Sequence, residues 1–511
     1  MTKITKRGVA LLVAVAAAVL AVVAGPRTPH IDGNTSGDAD LAARVRSLLP
    51  DDAGLEALHV SVISPEGVRH AGLGSSGGVV PDEHSRFGLG SVTKTFNGQL
   101  LAVAIARGEV AESDTLATHI PELEGSQAGT VTLLELATHT SGLPREARSD
   151  WVWPWVSGSE SASSGDRAPQ GEQEFLRQAR TLTLSTRGTF SYSNLGADLL
   201  GIALARAAGA ASWQDYATAR LLQPLGMNDT VFTSVDDAVT VPERAIKGKW
   251  ENGRTVMPGT PGQYDLPAGH STWTTGADMA RYAQAVMDGT APGGTTAWQP
   301  RQSAWQPRQS INDTYQIGYL WIRWRLDDDR SAIYHDGGHA WYGTVVIMDP
   351  ASGRAVVVMA NTALARLDSL AQALLDDSQE PVPSQASLGA GMTGFIPYYS
   401  LALAAVLVAV SLWAAWRAER LGSRLATVIR AVDVLAWAAL AAALGPWSSI
   451  PGWTYALMLL PGTYAIVRMA LRWRELPWQP GPGKLRWWLW ARLVPCVAFA
   501  VLVLLVVMPK G

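Results

Sequence analysis

Uninterrupted apolar runs stand at both ends of the chain, while apolar and polar residues alternate in short patterns between them. The first run follows Lys6 and Arg7 and extends for about 17 residues, as in a secretory signal peptide or a single membrane anchor. Ala24 would make a tolerable cleavage site, yet a run of this length could also stay in the bilayer. We therefore predict that residues 1–25 direct export, as a signal peptide or as an N-terminal anchor.

Four further apolar runs follow residue 391 and come close to the roughly 20 residues that a membrane-spanning helix requires. A soluble domain of buried helices is the alternative, but such uniform apolarity argues against it. We predict a linker at 381–392 and a transmembrane region of four helices at 393–511. The four runs occupy 395–413, 431–443, 453–471 and 488–508.

Positive charges between these runs predict the orientation of the chain in the membrane. The first and third connections are rich in arginine and lysine, whereas the second has no charge. Positive connections stay in the cytoplasm, which puts the section before residue 381 outside, and the basic N-terminus gives the same answer. The charges are Arg417, Arg420, Arg424 and Arg430 in the first connection and Arg472, Arg474, Lys484 and Arg486 in the third.

The section at about 40–380 has the patterning of an α+β domain. Apolar runs at 58–64 and 67–74 flank a Pro-Glu-Gly turn, which predicts a β-hairpin. A helical block inserted between this hairpin and late antiparallel strands gives the α+β plan. The predicted helices lie at 93–108, 131–144, 196–209 and 276–289, and the late strands at 315–326, 331–338, 341–349 and 354–363.

Charge and cysteine content exclude two kinds of site. The formal net charge of −3 conceals a middle section with 27 basic and 41 acidic residues, a net charge of −14. Nucleic-acid binding requires a basic surface, so we exclude nucleic acid as a partner. Cys496 is the only cysteine and lies in an apolar run, which leaves neither a disulfide framework nor a thiolate metal cluster.

Two irregular stretches interrupt the domain. Residues 145–172 are polar and rich in glycine and serine, apart from Trp151, Trp153 and Trp155. A loop of that length is either disordered or functional, and its tryptophans either line a cleft, rest on the bilayer or cover core. The seven-residue repeat "AWQPRQS" at 297–310 is typical of a tolerated loop insertion.

The stretch "GLGSVTK" carries the first candidate site at a predicted helix start. Ser91 and Lys94 are three residues apart and so share one helix face. Burial and the helix N-terminus would let the lysine take the proton of the serine hydroxyl and so activate it as a nucleophile. The alternative is a simple helix cap. The same letters "GLGS" recur at Ser75, where no lysine follows.

Two further motifs supply partners for this pair. In "YSN", Tyr192 can act as general base and acid beside a cationic lysine, and the Asn194 amide can orient that lysine and a substrate carbonyl. The alternative is a capping asparagine behind a buried tyrosine. In "YHDGGH", glycines on an edge strand offer backbone N–H groups to an oxyanion. A zinc site of His335 and His339 is the alternative, and the two intervening glycines disfavour the helix it needs. We predict no metal and no cofactor.

In this order, "SVTK", "YSN" and "HDG" resemble the serine β-lactamase and penicillin-binding-protein superfamily. The branch is that of AmpC-type β-lactamases, D-alanyl-D-alanine carboxypeptidases and related esterases and D-aminopeptidases, and "LLELATHTSGLP" and "PLGMNDT" resemble it too. The resemblance covers about 40–380 and implies an antiparallel sheet with a helical subdomain and an acyl-enzyme reaction. The implied catalytic residues are Ser91, Lys94 and Tyr192, and the implied substrate-binding and oxyanion residues are Asn194, His335, Gly337 and Gly338.

Asp336 departs from the family pattern, which has threonine or serine in the middle of the third motif. If Asp336 faces the cleft, its charge would repel a substrate carboxylate. If His335 points inward, strand alternation points Asp336 away, and the sequence leaves both orientations open.

We therefore expect a membrane-anchored serine hydrolase that acts outside the cytoplasmic membrane. Its substrates would be peptides, esters or β-lactam-like amides, with cell-wall D-Ala peptides among them. The alternative is a penicillin-recognising sensor or a non-catalytic binding protein of the same fold. The expected partners are a small-molecule or peptidoglycan-derived substrate, the bilayer, and a membrane protein that docks on the C-terminal helices.

Overall fold

The chain divides into two compact units in a computed structural model. The larger unit comprises residues 30–250 and 255–385, and the smaller comprises 1–29, 251–254 and 386–511. The tryptophans of the irregular loop and the first copy of the seven-residue repeat, at 297–303, lie outside the described residues. The structure describes 5–146, 172–234, 237, 241–249, 255–256, 263–289, 304–327, 330–339, 342–362, 367–383, 395–418, 420, 422–445, 447, 450–478, 491–492 and 496–499.

A nine-stranded antiparallel sheet forms the centre of the larger unit. The strands are β1 (Thr35–Gly37), β2 (Ala57–Ser64), β3 (Gly67–Gly74), β4 (Phe87–Gly88), β5 (Val231–Phe232), β6 (Gly248–Lys249), β7 (Thr255–Val256), β8 (Thr272–Thr274), β9 (Gln309–Ser310), β10 (Tyr315–Ile317), β11 (Ile322–Arg325), β12 (Ser331–His339), β13 (Tyr342–Asp349) and β14 (Arg354–Ala360). The order across the sheet is β1-β3-β2-β14-β13-β12-β11-β10-β9. The predicted hairpin is confirmed as β2 and β3, and it joins the last strand of the domain where β2 pairs with β14.

Most of the helices of the larger unit lie between β3 and β9 in the sequence, as the patterning predicts. The helices of the whole chain are α1 (Lys6–Ala24), α2 (Ala39–Leu48), α3 (Lys94–Ala106), α4 (Leu116–His119), α5 (Leu133–Ala137), α6 (Glu172–Arg180), α7 (Asn194–Ala207), α8 (Trp213–Ala217), α9 (Gln223–Leu225), α10 (Gly276–Asp288), α11 (Leu367–Leu375), α12 (Phe395–Arg417), α13 (Arg424–Leu444) and α14 (Thr454–Leu471). Short 3-10 segments lie at Gly90–Thr93, Pro121–Leu123, Ala128–Thr130, Gln263–Asp265 and Trp473–Glu475, and a π segment lies at Thr218–Leu222.

The two faces of the sheet pack against different helices. Alternate residues of a strand point to opposite faces, and β14 follows this rule. Val356 and Val358 join a core with α2 and α11, whereas Val357 and Met359 join the larger core beneath the helical block. Both faces are therefore covered, and the candidate site lies on the side of the helical block.

One predicted strand is wrong. The apolar run at 315–326 is not a single strand but the hairpin of β10 and β11, in which Ile317 pairs with Ile322. The chain reverses through Leu320, whose φ of 56° lies in the left-handed region. A leucine rarely adopts this conformation, so the residue type gives no turn signal. The Leu320 N–H donates to the Ala137 carbonyl, and its side chain is fully buried in the larger core, which holds the turn in place.

The smaller unit contains apolar helices. α1, α13 and α14 are long and apolar enough to cross a membrane, and α12 contains a shorter apolar stretch, Leu401–Arg417. The fourth predicted run, 488–508, lies almost wholly outside the described residues.

α1 and α14 pack antiparallel. The small residues Ala10, Ala14 and Ala18 are the buried positions of α1. At one end of the pair Lys6 bonds to Glu475, and at the other the Gly452 N–H donates to the Thr28 hydroxyl over 3.1 Å. The N-terminal helix is thus joined to α14 at both ends.

Candidate active site

Ser91 and Lys94 are in direct contact at the start of α3. Ser91 lies in the 3-10 turn Gly90–Thr93, and Lys94 is the first residue of the helix. Residues three apart lie above one another in such a turn, and Lys94 Nζ donates to Ser91 Oγ over 2.9 Å. The lysine side chain is fully buried, and Nζ also donates to the Ala268 carbonyl over 2.6 Å. The sequence-predicted pair therefore has the geometry of a serine beside its base.

Ser75, the second occurrence of "GLGS", has a different environment. Its hydroxyl donates to Asp32 Oδ2 over 2.5 Å, in a loop that follows β3. The Ser75 hydroxyl is therefore bonded to a carboxylate at the surface, whereas the Ser91 hydroxyl is bonded to a buried amine.

Tyr192 faces the same lysine. Its ring centroid lies 5.0 Å from Lys94 Nζ and 5.1 Å from the Arg145 guanidinium carbon. The His139 ring lies 4.6 Å away on another side. A lysine, an arginine and a buried imidazole therefore surround this half-buried phenol.

Asn194 lies two residues after Tyr192. The sequence predicts that its amide orients Lys94, but the described residues include no hydrogen bond between the two side chains. The helix cap is its neighbour Ser193, whose hydroxyl accepts from the Gly196 N–H over 2.8 Å, so the capping alternative for Asn194 is wrong. Asn194 is the first residue of α7, and its Nδ2 donates to Glu146 Oε1 over 2.6 Å. Its buried Oδ1 has no hydrogen-bond partner among the described residues.

The third motif lies on β12, at an open edge of the sheet. β11 pairs with β12 only as far as Tyr334, so the following residues have no strand partner on that side among the described residues. His335 is buried, and its Nδ1 lies 2.6 Å from the Asp336 carbonyl oxygen. A carbonyl only accepts, so Nδ1 carries the proton and Nε2 is left as an acceptor. Burial lowers the pKa of His335, and Lys94 also acts to lower it, so the imidazole is neutral near pH 7.

Asp336 lies on the opposite side of β12 from His335. Its side chain is exposed, on the same side of the strand as Tyr334. Burial raises the pKa of the Tyr334 hydroxyl, and the charge of Asp336 raises it further. Of the two orientations that the sequence leaves open, the structure has the one in which Asp336 points away from Lys94. Its charge therefore does not face the nucleophile.

Gly337 and Gly338 lie against the turn that carries Ser91. A Cβ at Gly90, which has a φ of +58°, would lie 3.3 Å from the Gly338 nitrogen, and one at Gly337 would lie 3.2 Å from the Ser91 nitrogen. Thr344 fixes this approach because its hydroxyl donates to the Leu89 carbonyl over 2.7 Å. The backbone nitrogens of Ser91 and Gly338 are thus brought close together, and the resemblance implies that their N–H groups hold an oxyanion.

Residues 40–378 match the family model described as Beta-lactamase. The chain belongs to the beta-lactamase family. It is 29% identical over 262 residues to the beta-lactamase of Escherichia coli (strain K12), covering 48% of this chain and 60% of that protein. It is 30% identical over 207 residues to the D-alanyl-D-alanine-carboxypeptidase/endopeptidase AmpH of the same strain, covering 38% of this chain and 49% of AmpH. The chain thus spans about half to three fifths of the length of these curated relatives.

Solved structures of the beta-lactamase family share this fold. A class C beta-lactamase superposes with a TM-score of 0.57 at 19% identity, covering 66% of this chain and 96% of that one. The class C beta lactamase from Rhodobacter sphaeroides gives 0.54 at 21% identity, covering 67% and 98%. At these identities the likeness is one of fold, and it agrees with the predicted antiparallel sheet with helices. Members of the family are serine hydrolases.

Several residues near the site carry no signal that the sequence analysis used. Arg145, Glu146 and the Ala268 carbonyl lie far along the chain from Lys94, and only folding brings them together. His139, in "ATHTSGLP", is buried and has a φ of 54°, which a residue other than glycine seldom adopts, but neither property is visible in the sequence. Burial holds the pKa of His139 well below its usual range, and Lys94 adds to this effect. Its Nδ1 accepts from the Ser193 N–H over 3.3 Å.

The zinc alternative finds no support in the described part of the chain. No group of three or more histidine, cysteine or acidic residues is close enough there to hold a metal ion. His335 uses Nδ1 on a backbone carbonyl, and the side chain of His339 lies outside what the structure describes.

Proposed function

We propose that this chain is a serine hydrolase that works through an acyl-enzyme on Ser91. The observation that carries the proposal is the fully buried Lys94 amine bonded to the Ser91 hydroxyl, beside Tyr192 and an open strand edge. Among the described residues, the buried lysine is hydrogen-bonded to a hydroxyl and a carbonyl, which is an unusual use of a charged residue in a core. The burial of Lys94 is explained if the lysine acts as the base that activates the serine.

The proposed reaction has two halves. Ser91 Oγ attacks the substrate carbonyl while its proton passes to Lys94 or Tyr192, and the oxyanion is held by the N–H groups of Ser91 and Gly338. The C–N or C–O bond then breaks, and the leaving group receives the proton. In the second half, water attacks the acyl-serine, its proton returns through the same groups, and the acid is released with Ser91 restored.

The proposed substrates are peptides, esters or β-lactam-like amides, with cell-wall D-Ala peptides among them. The similarity to a carboxypeptidase/endopeptidase and to beta-lactamases supports this range. The orientation of Asp336 supports it too, because a substrate carboxylate near Ser91 would not meet that charge. A penicillin-recognising sensor would form the same acyl-serine but would release it slowly, so multiple turnover distinguishes the enzyme from the sensor.

We also propose that the catalytic unit is held outside the cytoplasmic membrane, with α1 kept as an anchor in the smaller unit. The predicted inside ends of α1 and α14 carry the bonded pair Lys6 and Glu475, and their predicted outside ends carry Thr28 and Gly452. The bonds between α1 and α14 therefore agree with the orientation predicted from the charges. Ala10, Ala14 and Ala18 supply the small-residue face by which membrane helices approach closely.

Covalent labelling tests the proposed function. Membranes that contain the full chain are treated with a fluorescent fluorophosphonate and, separately, with a fluorescent penicillin. We expect fluorophosphonate labelling of the wild type and of the control Ser75→Ala, and none of Ser91→Ala. Absence of serine-dependent labelling with both reagents would contradict a hydrolase. Labelling with the fluorophosphonate alone would favour an esterase or peptidase over penicillin chemistry.

A further inference from the structure

Asp198 is an acid enclosed in the helical block. It lies on α7, where its side chain is only 1% exposed, and its neighbours Ala197 and Leu199 are fully buried. An acid at such a position costs several kcal/mol unless hydrogen bonds or a change of protonation compensate. Packing alone would favour an apolar residue there, so the acid requires another explanation.

The backbone of one residue joins Asp198 to the candidate base. The Ala268 N–H donates to Asp198 Oδ1 over 2.8 Å. The carbonyl of the same residue accepts from Lys94 Nζ over 2.6 Å. The position of Ala268 therefore depends on Asp198, and the direction of the lysine amine depends on Ala268.

A second helix holds the same segment. On α3, one turn after Lys94, Asn97 Nδ2 donates to the Pro267 carbonyl and to the Ala197 carbonyl, each over 3.1 Å. Trp213 Nε1 donates to Asn97 Oδ1 over 2.7 Å and fixes the amide. The segment that accepts the lysine's hydrogen bond is thus held from α3 and α7 together.

We propose that Asp198 is a positioning residue for acylation: its carboxyl group holds the Ala268 backbone, and the Ala268 carbonyl in turn orients Lys94 toward Ser91. The inference rests on the proposed function, since it assigns Asp198 a part in the use of Ser91.

The charged groups around Asp198 support the neutral form. Burial raises the pKa of Asp198 well above its usual range, and Asp265 and Glu146 raise it further. The Ala268 N–H and Lys94 act in the opposite direction. An ionised carboxylate at this position would stabilise the ammonium form of the lysine. A protonated Asp198 leaves Lys94 better able to accept the proton of Ser91.

Substitution of Asp198 tests the inference in the full-length chain in detergent. The readout is the rate of Ser91 labelling by a fluorophosphonate per folded molecule, measured from pH 6 to 9. Asp198→Asn keeps an acceptor for the Ala268 N–H, so we expect a rate within about threefold of wild type and an unchanged pH profile. Asp198→Ala loses the acceptor, and we expect labelling at least about tenfold slower.

Asp278 provides the matched control. It is also 1% exposed and accepts a backbone N–H, that of Asp229 over 2.9 Å, but it lies on α10. We expect Asp278→Ala to lower stability and leave the labelling rate per folded molecule unchanged.

Three results would overturn the inference while wild-type labelling remains intact. In the first, Asp198→Ala labels at the wild-type rate. In the second, Asp198→Asn lowers the labelling rate as much as Asp198→Ala does. In the third, the pH profile of Asp198→Asn is displaced to lower pH. The last would mean that an ionised carboxylate had been removed from beside Lys94. If Asp198→Ala does not fold, the rate and profile of Asp198→Asn decide. Absence of Ser91-dependent labelling in the wild type would instead overturn the proposed function itself.

Discussion

At the scale of single residues, the site depends on a lysine that has been removed from water. The Lys94 side chain is fully buried, and its hydrogen-bond partners among the described residues are a hydroxyl and a carbonyl, neither of them charged. A carboxylate bonded to the amine would favour the protonated form and oppose its use as a base. The environment of Lys94 is therefore suited to exchanging a proton with Ser91.

Gly337 and Gly338 give a matched pair for testing the geometry of the strand edge. A Cβ at Gly337 would lie 2.2 Å from Thr344 Oγ1 and 2.3 Å from the Leu89 carbonyl, whereas one at Gly338 would meet nothing within 4 Å. We expect Gly337→Ala to slow Ser91 labelling by about tenfold or more, because the edge must move away from the turn. Gly338→Ala keeps its N–H, and we expect labelling within about threefold of wild type. Equal effects of the two substitutions in a labelling time course would contradict this account of the edge.

Sequence spacing predicts those parts of the site that are local in the chain. Ser91 and Lys94 are one turn apart, so the helix rule is enough to put them together. The Ala268 carbonyl, Glu146 and Asp198 are more than 50 residues from Lys94 along the chain, and no periodicity relates them to it. The partner of Asn194 was not predictable for the same reason. The sequence predicts that the Asn194 amide orients Lys94, whereas in the structure the amide donates to Glu146.

At the scale of elements, sequence patterns predict the long strands and several helices because apolar alternation and helical spacing are strong in β2, β3, β13, α7 and α10. They do not predict the strands of two or three residues, β1 and β4 to β9, or the helices α2, α4, α6, α8, α9 and α11. The hairpin of β10 and β11 is predicted wrongly, as one strand. Its apolar residues continue through the turn without the glycine–asparagine signals that usually mark one, apart from Gly318. Tertiary contacts of Leu320 decide the turn, and such contacts are not visible in a local pattern.

The packing of α1 against α14 predicts that the N-terminal helix stays with the mature chain. The bond of Lys6 to Glu475 would be lost if residues 1–24 were removed, whereas Thr28, the partner of Gly452, would remain in the chain. We expect the intact mass of the chain purified from membranes to include residues 1–25. A mature chain that begins just after Ala24 would contradict the anchor and show that the segment is a cleaved signal.

At the scale of the whole molecule, an acidic α+β unit and an apolar helical unit make up the chain. The family match at 40–378 lies within the larger unit, and the predicted boundary near 381 remains a prediction. Composition predicts this division because the two units differ so strongly in charge and apolarity. Composition does not predict the substrate, which depends on a few side chains around Ser91.

Buried histidines predict that the larger unit loses stability in acid. Burial lowers the pKa of His59 to about 3, and the nearby His70 adds to this effect. In the unfolded chain the pKa would be about 6.5. The stabilisation is therefore complete above about pH 6.5 and is lost as the pH falls toward 3, with about 2 kcal/mol lost by pH 5 from this one group.

Urea unfolding of the detergent-solubilised full chain, followed by Ser91 labelling, measures this dependence. We expect the urea concentration at the unfolding midpoint of the wild type to decrease as the pH is lowered from 6.5 to 5, because of the linkage just described. His59→Gln removes the group and should reduce the dependence of the urea midpoint on pH. A dependence unchanged by His59→Gln would show that this histidine does not control acid stability.

Localisation of the covalent adduct tests the central claim most directly. The full chain is allowed to react with a fluorophosphonate, digested, and analysed by tandem mass spectrometry. The proposed mechanism predicts one adduct, on the hydroxyl of Ser91 in "GLGSVTK", in wild type and in Ser75→Ala. An adduct on another serine, or none on the Ser91 peptide of a folded chain, would contradict the claim that Ser91 is the nucleophile.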